Sequence, residues 1–213
     1  MHIGEFELTV IVTSPPWYEN CYLVTHLPSG ETVAVDPGGD APVIAGFIKE
    51  HKLKLKEIWL THGHPDHVGA VAELQQEFKV SCRAHLDEKT TIEQSGRVSM
   101  QLMGQFIPGP KSCEYFEGEP ELILGNAKVK AYHTPGHTPG CVCFDFGPFT
   151  LTGDTVFEHG FGRTDLPGGN SMKLTSSITR LLNVLPPDNL LFSGHGSYWS
   201  ADEAKEWWKF MAI

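Results

Sequence analysis

The chain has 213 residues, compatible with one domain of generous size, and at 40% hydrophobic residues it can bury a large core. Sixteen Lys and Arg stand against 26 Asp and Glu, a formal net charge of −10. Such an acidic surface repels phosphate backbones, so nucleic acid is not an expected partner.

The start, Met1 to Glu7, has no basic segment and no long apolar run. Nowhere does the sequence approach the roughly 20 apolar residues of a membrane span. A cytoplasmic protein acting on a small molecule, with no membrane partner, is expected; the oligomeric state is left open. Phe6 to Val12 and Cys21 to Thr25 read as strands on either side of Ser14-Pro15-Pro16. Thr32 to Asp36 reads as a strand stopped by Pro37-Gly38-Gly39. Asp40 is the expected N-cap of a helix through His51, with Val43, Ile44, Phe47 and Ile48 at helical spacing. Glu57 to Leu60 is a short buried strand, and a helix is expected from about Asp66 to Phe78. Within residues 86 to 120 a helix is expected around Thr90 to Met103, followed by an irregular loop at Pro108 to Lys111. Segments of that kind often wall a substrate site. Further strands are expected at Val129–Tyr132, Cys141–Phe144, Phe149–Thr152 and Leu190–Phe192, with helices at about Met172–Leu185 and Ala201–Phe210. Trp207 and Trp208 either anchor a subunit contact or pack the last helix, with packing expected.

The five cysteines are odd in number and sit mostly in apolar, strand-like runs, as small buried hydrophobes do in a reducing compartment. Cys141-x-Cys143 has the wrong spacing for a zinc knuckle.

The chemistry lies in the order of metal donors. Four of them fall within Thr61-His62-Gly63-His64-Pro65-Asp66-His67. Three more arrive singly in glycine-flanked turns: His137 in Pro135 to Gly140, Asp154 after Gly153, and His195 between Gly194 and Gly196. Seven donors are too many for one tetrahedral zinc, which takes four. They suit two metals that share a carboxylate and keep positions open for water, an arrangement for catalysis more than for structural clamping. His62 and His64 lie two apart and can face one way, while adjacent Asp66 and His67 serve another. The repeated pattern of strand, tight turn and donor suggests two strand–helix halves with the site at one sheet edge.

This ordered set resembles the metallo-β-lactamase superfamily, whose pattern is His-x-His-x-Asp-His followed by a His, an Asp and a His. The resemblance covers nearly the whole chain, including Asn20 to Val24 and Val35 to Gly39. It implies an α/β fold, the four-layer αββα sandwich, with the metal site at one sheet edge. By position it implies that His62, His64 and His137 bind one metal, Asp66, His67 and His195 a second, and Asp154 both. Two divalent ions are implied, with zinc expected and iron or manganese also compatible. Asp36 is either a carboxylate orienting the nest or a turn cap before Pro37. His2, His26, His51, His85, His133 and His159 are expected to be non-ligands.

Within the superfamily, Thr61 to Gly69, Gly153 to Phe157 and Gly162-Arg163-Thr164-Asp165-Leu166-Pro167-Gly168-Gly169 look like the single-domain branch of glyoxalase II (hydroxyacylglutathione hydrolase). Full-length members add a C-terminal helical domain that helps hold glutathione. Here the sequence ends at Ile213, soon after His195, so a single domain over 1–213 without that addition is expected. The implied activity is metal-dependent hydrolysis of a thioester, S-lactoylglutathione or a related acyl thioester. A metal-bridging hydroxide would attack the carbonyl, with Asp66 orienting the water and accepting its proton. A leaving thiolate is weakly basic and needs no strong general acid. Arg163 is a candidate substrate-binding residue or one half of a loop-fixing pair with Asp165; Phe157 and Phe161 either line the pocket or pack the core. Competing readings are a persulfide dioxygenase with one iron on His62, His137 and Asp154, and a lactone or β-lactam hydrolase.

Overall fold

The computed structural model describes residues 1–211, and at 102 and 103 the backbone alone. Thirteen strands form two sheets among the described residues. The first runs in sequence order: β1 (His2–Ile3), β2 (Phe6–Val12), β3 (Asn20–His26), β4 (Glu31–Val35), β5 (Lys54–Trp59), β6 (Ser81–His85) and β7 (Glu114–Phe116). Its first four strands pair antiparallel, and β4 to β7 pair parallel. The second sheet contains β8 (Glu121–Leu124), β9 (Ala127–His133), β10 (Val142–Asp145), β11 (Phe149–Gly153), β12 (Leu190–Ser193) and β13 (Trp199–Ser200), in the order β13-β12-β11-β10-β9-β8. Only β11 and β12 pair parallel there.

Alternation along the strands builds three cores. Val33 and Val35 of β4 face the second sheet, in a cluster with Trp59, Phe144, Phe149 and Leu151. Ala34 between them faces outward with Leu23 and Ile58, beneath Ile44 and Ile48 of helix α1 (Ala41–Glu50). Helix α2 (Pro65–Val68) and helix α3 (Val71–Phe78) supply Val68, Val71 and Leu74 to the same cluster. Helix α4 (Lys89–Met103) adds Ile92 to that side. Across the molecule, helix α5 (Ser171–Val184) and helix α6 (Ala201–Met211) cover Cys143 and Leu191 with Leu174, Ile178, Leu181, Ala204 and Trp208. Helix, sheet, sheet and helix therefore stack as four layers, the expected αββα sandwich. Trp208 packs the last helix as expected and donates its indole N–H to Thr179 Oγ1 at 2.9 Å.

Two expectations need correction. The helix expected from Asp66 to Phe78 is broken into α2 and α3 at Gly69-Ala70. Ala70 N–H donates to Pro37 O at 2.9 Å, and a Cβ at Gly69 would meet Gly38 O at 2.3 Å. The break docks the donor-rich turn against the end of β4. Asp40 precedes α1 without capping it by its side chain, because its left-handed backbone (φ 51°) turns the carboxylate onto Ser14 N–H at 2.6 Å. Strands β6, β7 and β8 were not expected; Ser81-Cys82-Arg83-Ala84-His85 alternates small and polar residues instead of showing an apolar run.

Candidate metal centre

All seven predicted donors converge at one edge of the sandwich. His62 and His64 stand in the turn leaving β5, Asp66 and His67 on α2, and His137 in the turn between β9 and β10. Asp154 follows β11 directly, and His195 follows β12. The parallel pairs β4/β5 and β11/β12 thus deliver donors from their carboxyl ends, while the β9–β10 turn adds His137.

The donors fall into two groups. Nitrogen atoms of His62, His64 and His137 lie within 4.8 Å of one another, and so do donor atoms of Asp66, His67 and His195. His195 Nε2 is 3.4 Å from Asp66 Oδ2. Asp154 stands between the groups. Its Oδ1 is 3.4 Å from His67 Nε2, and its Oδ2 is 3.5 Å from His137 Nε2 and 3.8 Å from His195 Nε2.

The network behind the donors fixes which ring nitrogen faces the centre. His67 Nδ1 donates to Asp36 Oδ2 at 3.0 Å, and His137 Nδ1 donates to the Arg163 carbonyl at 2.6 Å. The Thr61 hydroxyl gives its single proton to Asp36, so it can only accept from His62 Nδ1, 3.1 Å away. In each case the Nε2 lone pair is left facing the centre. His62 Nε2, His67 Nε2, His137 Nε2 and Asp154 Oδ1 are buried and find no hydrogen-bond partner among the described residues. Each such orphan costs about 1–3 kcal/mol. Four of them converging are explained by a cation they would ligate, so this donor set fits divalent metal.

Electrostatics agree. Burial, and then the surrounding imidazoles, hold His62 far below its usual range, and burial holds His64 down at about 4. Both are neutral donors around pH 7, as metal binding requires. Burial pushes Asp154 up, but His67, His137 and His195 outweigh it and keep the carboxyl below its ordinary value. His67 is the exception: burial disfavours its charge, yet Asp154 and Asp66 raise it overall, so a metal bound there would take the place of a proton on Nε2.

Asp36 accepts from His67 Nδ1 and from Thr61 N–H, the latter at 2.7 Å, contacts that fit a carboxylate orienting the nest. The side chain of Arg163 forks onto Asp165 at 2.7 Å through Nε and Nη2, and both residues are exposed. That contact is the pair expected to fix the loop, and Arg163 also lines the cavity and accepts from His137 through its carbonyl. Phe157 and Phe161 line the cavity too. That cavity, about 420 Å³, opens over the donors between Trp17, the two phenylalanines, Val98 and Leu166. Four of the five cysteines are buried, Cys113 is half-buried, and none joins the donor groups. His85, Asp87 and His133 form a separate cluster, in which His85 Nδ1 accepts from Asp87 N–H at 3.2 Å and His133 Nε2 donates to Pro139 O at 3.0 Å, while His85 Nε2 is buried without a hydrogen-bond partner among the described residues.

Glu88 escaped the sequence reading. It lies fully buried where α4 begins and accepts from Gly63 N–H at 2.8 Å, Gly140 N–H at 2.7 Å and Thr138 Oγ1 at 2.5 Å. It therefore ties the His62 turn to the His137 turn. Burial pushes its carboxyl up, against the pull of those hydrogen bonds. In the sequence it looks like an acidic residue at the solvated start of a helix, so nothing marks it. Glu88→Ala strands two buried amides and is expected to cost about 2–4 kcal/mol in urea unfolding of the metal-free protein. It should also weaken metal binding about 10–100-fold in a competitive chelator titration.

Gly194 illustrates how tightly the donors are spaced. A Cβ there would stand 2.4 Å from Asp154 Oδ1 and 2.6 Å from the His67 ring. Gly194→Ala is expected to displace both and to lower turnover about 10²-fold, with the far-UV circular dichroism unchanged.

Residues 14–200 match the family model described as the metallo-beta-lactamase superfamily. The chain is 34% identical to hydroxyacylglutathione hydrolase GloC of Haemophilus influenzae, over 92% of this chain and 93% of that one. Among solved structures, BLEG-1 B3 metallo-beta-lactamase superposes with a TM-score of 0.87 at 31% identity, covering 94% of this chain and 97% of that one. TTHA1623, in a di-iron-bound form, superposes with a TM-score of 0.82 at 30% identity, covering 92% and 96%. No helix among the described residues is long and apolar enough to cross a membrane.

Proposed function

The chain belongs to the metallo-beta-lactamase superfamily and is a metallo-hydrolase, and we propose that its substrates are acyl thioesters, in the manner of the hydroxyacylglutathione hydrolase it resembles. The observation that carries this reading is the convergence of seven donors in two groups around one carboxylate. His62, His64 and His137 would hold one divalent ion, Asp66, His67 and His195 the other, and Asp154 would contact both. Zinc is the expected metal; iron or manganese suits the same donors. A metal pair held there supplies Lewis acidity toward a carbonyl and a water acidified to near-neutral pKa.

The remaining work belongs to the chain's own side chains. Asp66, whose Oδ2 lies 3.4 Å from His195 Nε2, would orient that water and accept its proton. Asp36, Thr61 and the Arg163 carbonyl keep three imidazoles in register, so no reorganisation is needed as charge develops. Trp17, Phe157 and Phe161 give the acyl group an apolar wall that excludes bulk water. No nucleophilic serine or cysteine is required.

The test is thiol release from S-lactoylglutathione and other acyl thioesters by metal-loaded protein. Exhaustive chelation should abolish release and lower the Tm, and zinc should restore both. Turnover that survives chelation, or hydrolysis of lactones or β-lactams with no thioester cleaved, would sink the proposal.

A further inference from the structure

Beside the cavity over the donors lies a second one of about 330 Å³. The two share His64, Val98 and Leu166, so they form one bent trough pinched between a helix and a loop. Both linings are mainly apolar surface, but the groups set into them differ. The first presents Trp17, Phe157 and Phe161 around the donors. The second presents Thr90, Thr91 and Gln94 from one face of α4, opposite Pro139, Pro167 and Gly168.

We propose that this second chamber binds the tail of the thiol carrier, and that the tail it takes is an extended, uncharged chain bearing amides, as in pantetheine. The inference rests on the thioesterase reading above. The reacting carbonyl must sit over the donors, and acyl group and thiol then leave it in two directions. The aromatic side suits an apolar acyl group. The α4 side offers hydroxyl and carboxamide groups, which donate to and accept from amide N–H and C=O without demanding charge.

Charge decides between tails. Among the described residues lining either cavity there is no lysine, and the single arginine, Arg163, is already forked onto Asp165. The one charged side chain lining the second chamber is Asp87, and the chain as a whole carries −10. A tail with free carboxylates, such as that of glutathione, would meet repulsion and no ion-pair partner there. Gln94 is exposed and stands one turn from both Thr90 and Val98, so a larger residue at 94 narrows the chamber without entering the core.

The experiment compares three lactoyl thioesters on the metal-loaded protein: those of pantetheine, of N-acetylcysteamine, which is too short to fill the chamber, and of glutathione. The expected order of kcat/KM places pantetheine about 10-fold or more above each of the others, one good contact's worth of discrimination. Gln94→Trp should remove that advantage while leaving the N-acetylcysteamine ester within about twofold, because only the tail is displaced. Calorimetry should show pantetheine binding to the wild type and not to Gln94→Trp. A preference for the glutathione ester, or an equal effect of Gln94→Trp on long and short esters, overturns the chamber assignment and leaves the thioesterase reading standing. Hydrolysis of none of the three overturns both.

Discussion

Asp154→Ala is expected to leave about one metal per chain instead of two and to reduce turnover by at least about 10²–10³-fold, the loss seen when a preorganised electrostatic partner is removed. The reason is position. Its two carboxylate oxygens face His67 on one side and His137 and His195 on the other, at 3.4, 3.5 and 3.8 Å. Asp36 also lies near a histidine of each group, His62 and His67, but it holds His67 from behind through Nδ1, so alanine at position 154 leaves two separate sets of three. The residue follows the last pairing of β11 with β12, and it carries no strand hydrogen bonds through its side chain. Far-UV circular dichroism should therefore stay at the wild-type signal while elemental analysis reports the lost ion. Wild-type turnover by this variant would remove Asp154 from the shared position.

Asp36→Ala should be the more damaging change to stability. The carboxylate is buried and satisfies three buried donors: Thr61 N–H, the Thr61 hydroxyl and His67 Nδ1. Stranding them costs about 1–3 kcal/mol each, less when they share one relaxed cavity, so a loss of about 3–5 kcal/mol is expected. Asp36 also sits in the left-handed region (φ 50°), where alanine adds about 1–2 kcal/mol. Asn tolerates that conformation, so Asp36→Asn isolates the hydrogen-bond part: its NH₂ must face a donor. Urea unfolding of the metal-free proteins reads the stability, and metal titration should show affinity falling about 10–100-fold as His67 loses its orientation. A stability change within about 1 kcal/mol would show that the network behind His67 is dispensable.

The site was far more legible in the sequence than the framework behind it. The donors are a chemical signal: His, Asp and Gly in fixed order at turn positions, which few other constraints produce. The strands leading to them are apolar runs, such as Val33-Ala34-Val35 and Leu190-Leu191-Phe192, so the sandwich and its donor edge could be read together. What was missed depends on contacts distant in sequence. Glu88 serves amides 25 and 52 residues away, and its local context is that of an ordinary helix start. Asp40 has the composition of an N-cap, but a tertiary bond to Ser14 takes its carboxylate elsewhere. The α2–α3 break exists because Gly69 must pass close to Gly38, which periodicity along one helix cannot reveal. Strands β6 and β7 are held by parallel neighbours more than by their own alternation. At Arg163 the guanidinium forks onto Asp165, one of the two alternatives the sequence offered, while its carbonyl accepts from His137 Nδ1, a contact that no side-chain motif announces.

The most direct test of the two-metal account is elemental analysis of purified protein, run beside S-lactoylglutathione hydrolysis and persulfide-dependent oxygen uptake on the same sample. About two metals per chain, with thiol released and no oxygen consumed, is the predicted result. One iron per chain, with oxygen consumed and no thioester cleaved, would contradict it and make the mononuclear oxygenase on His62, His137 and Asp154 the working model.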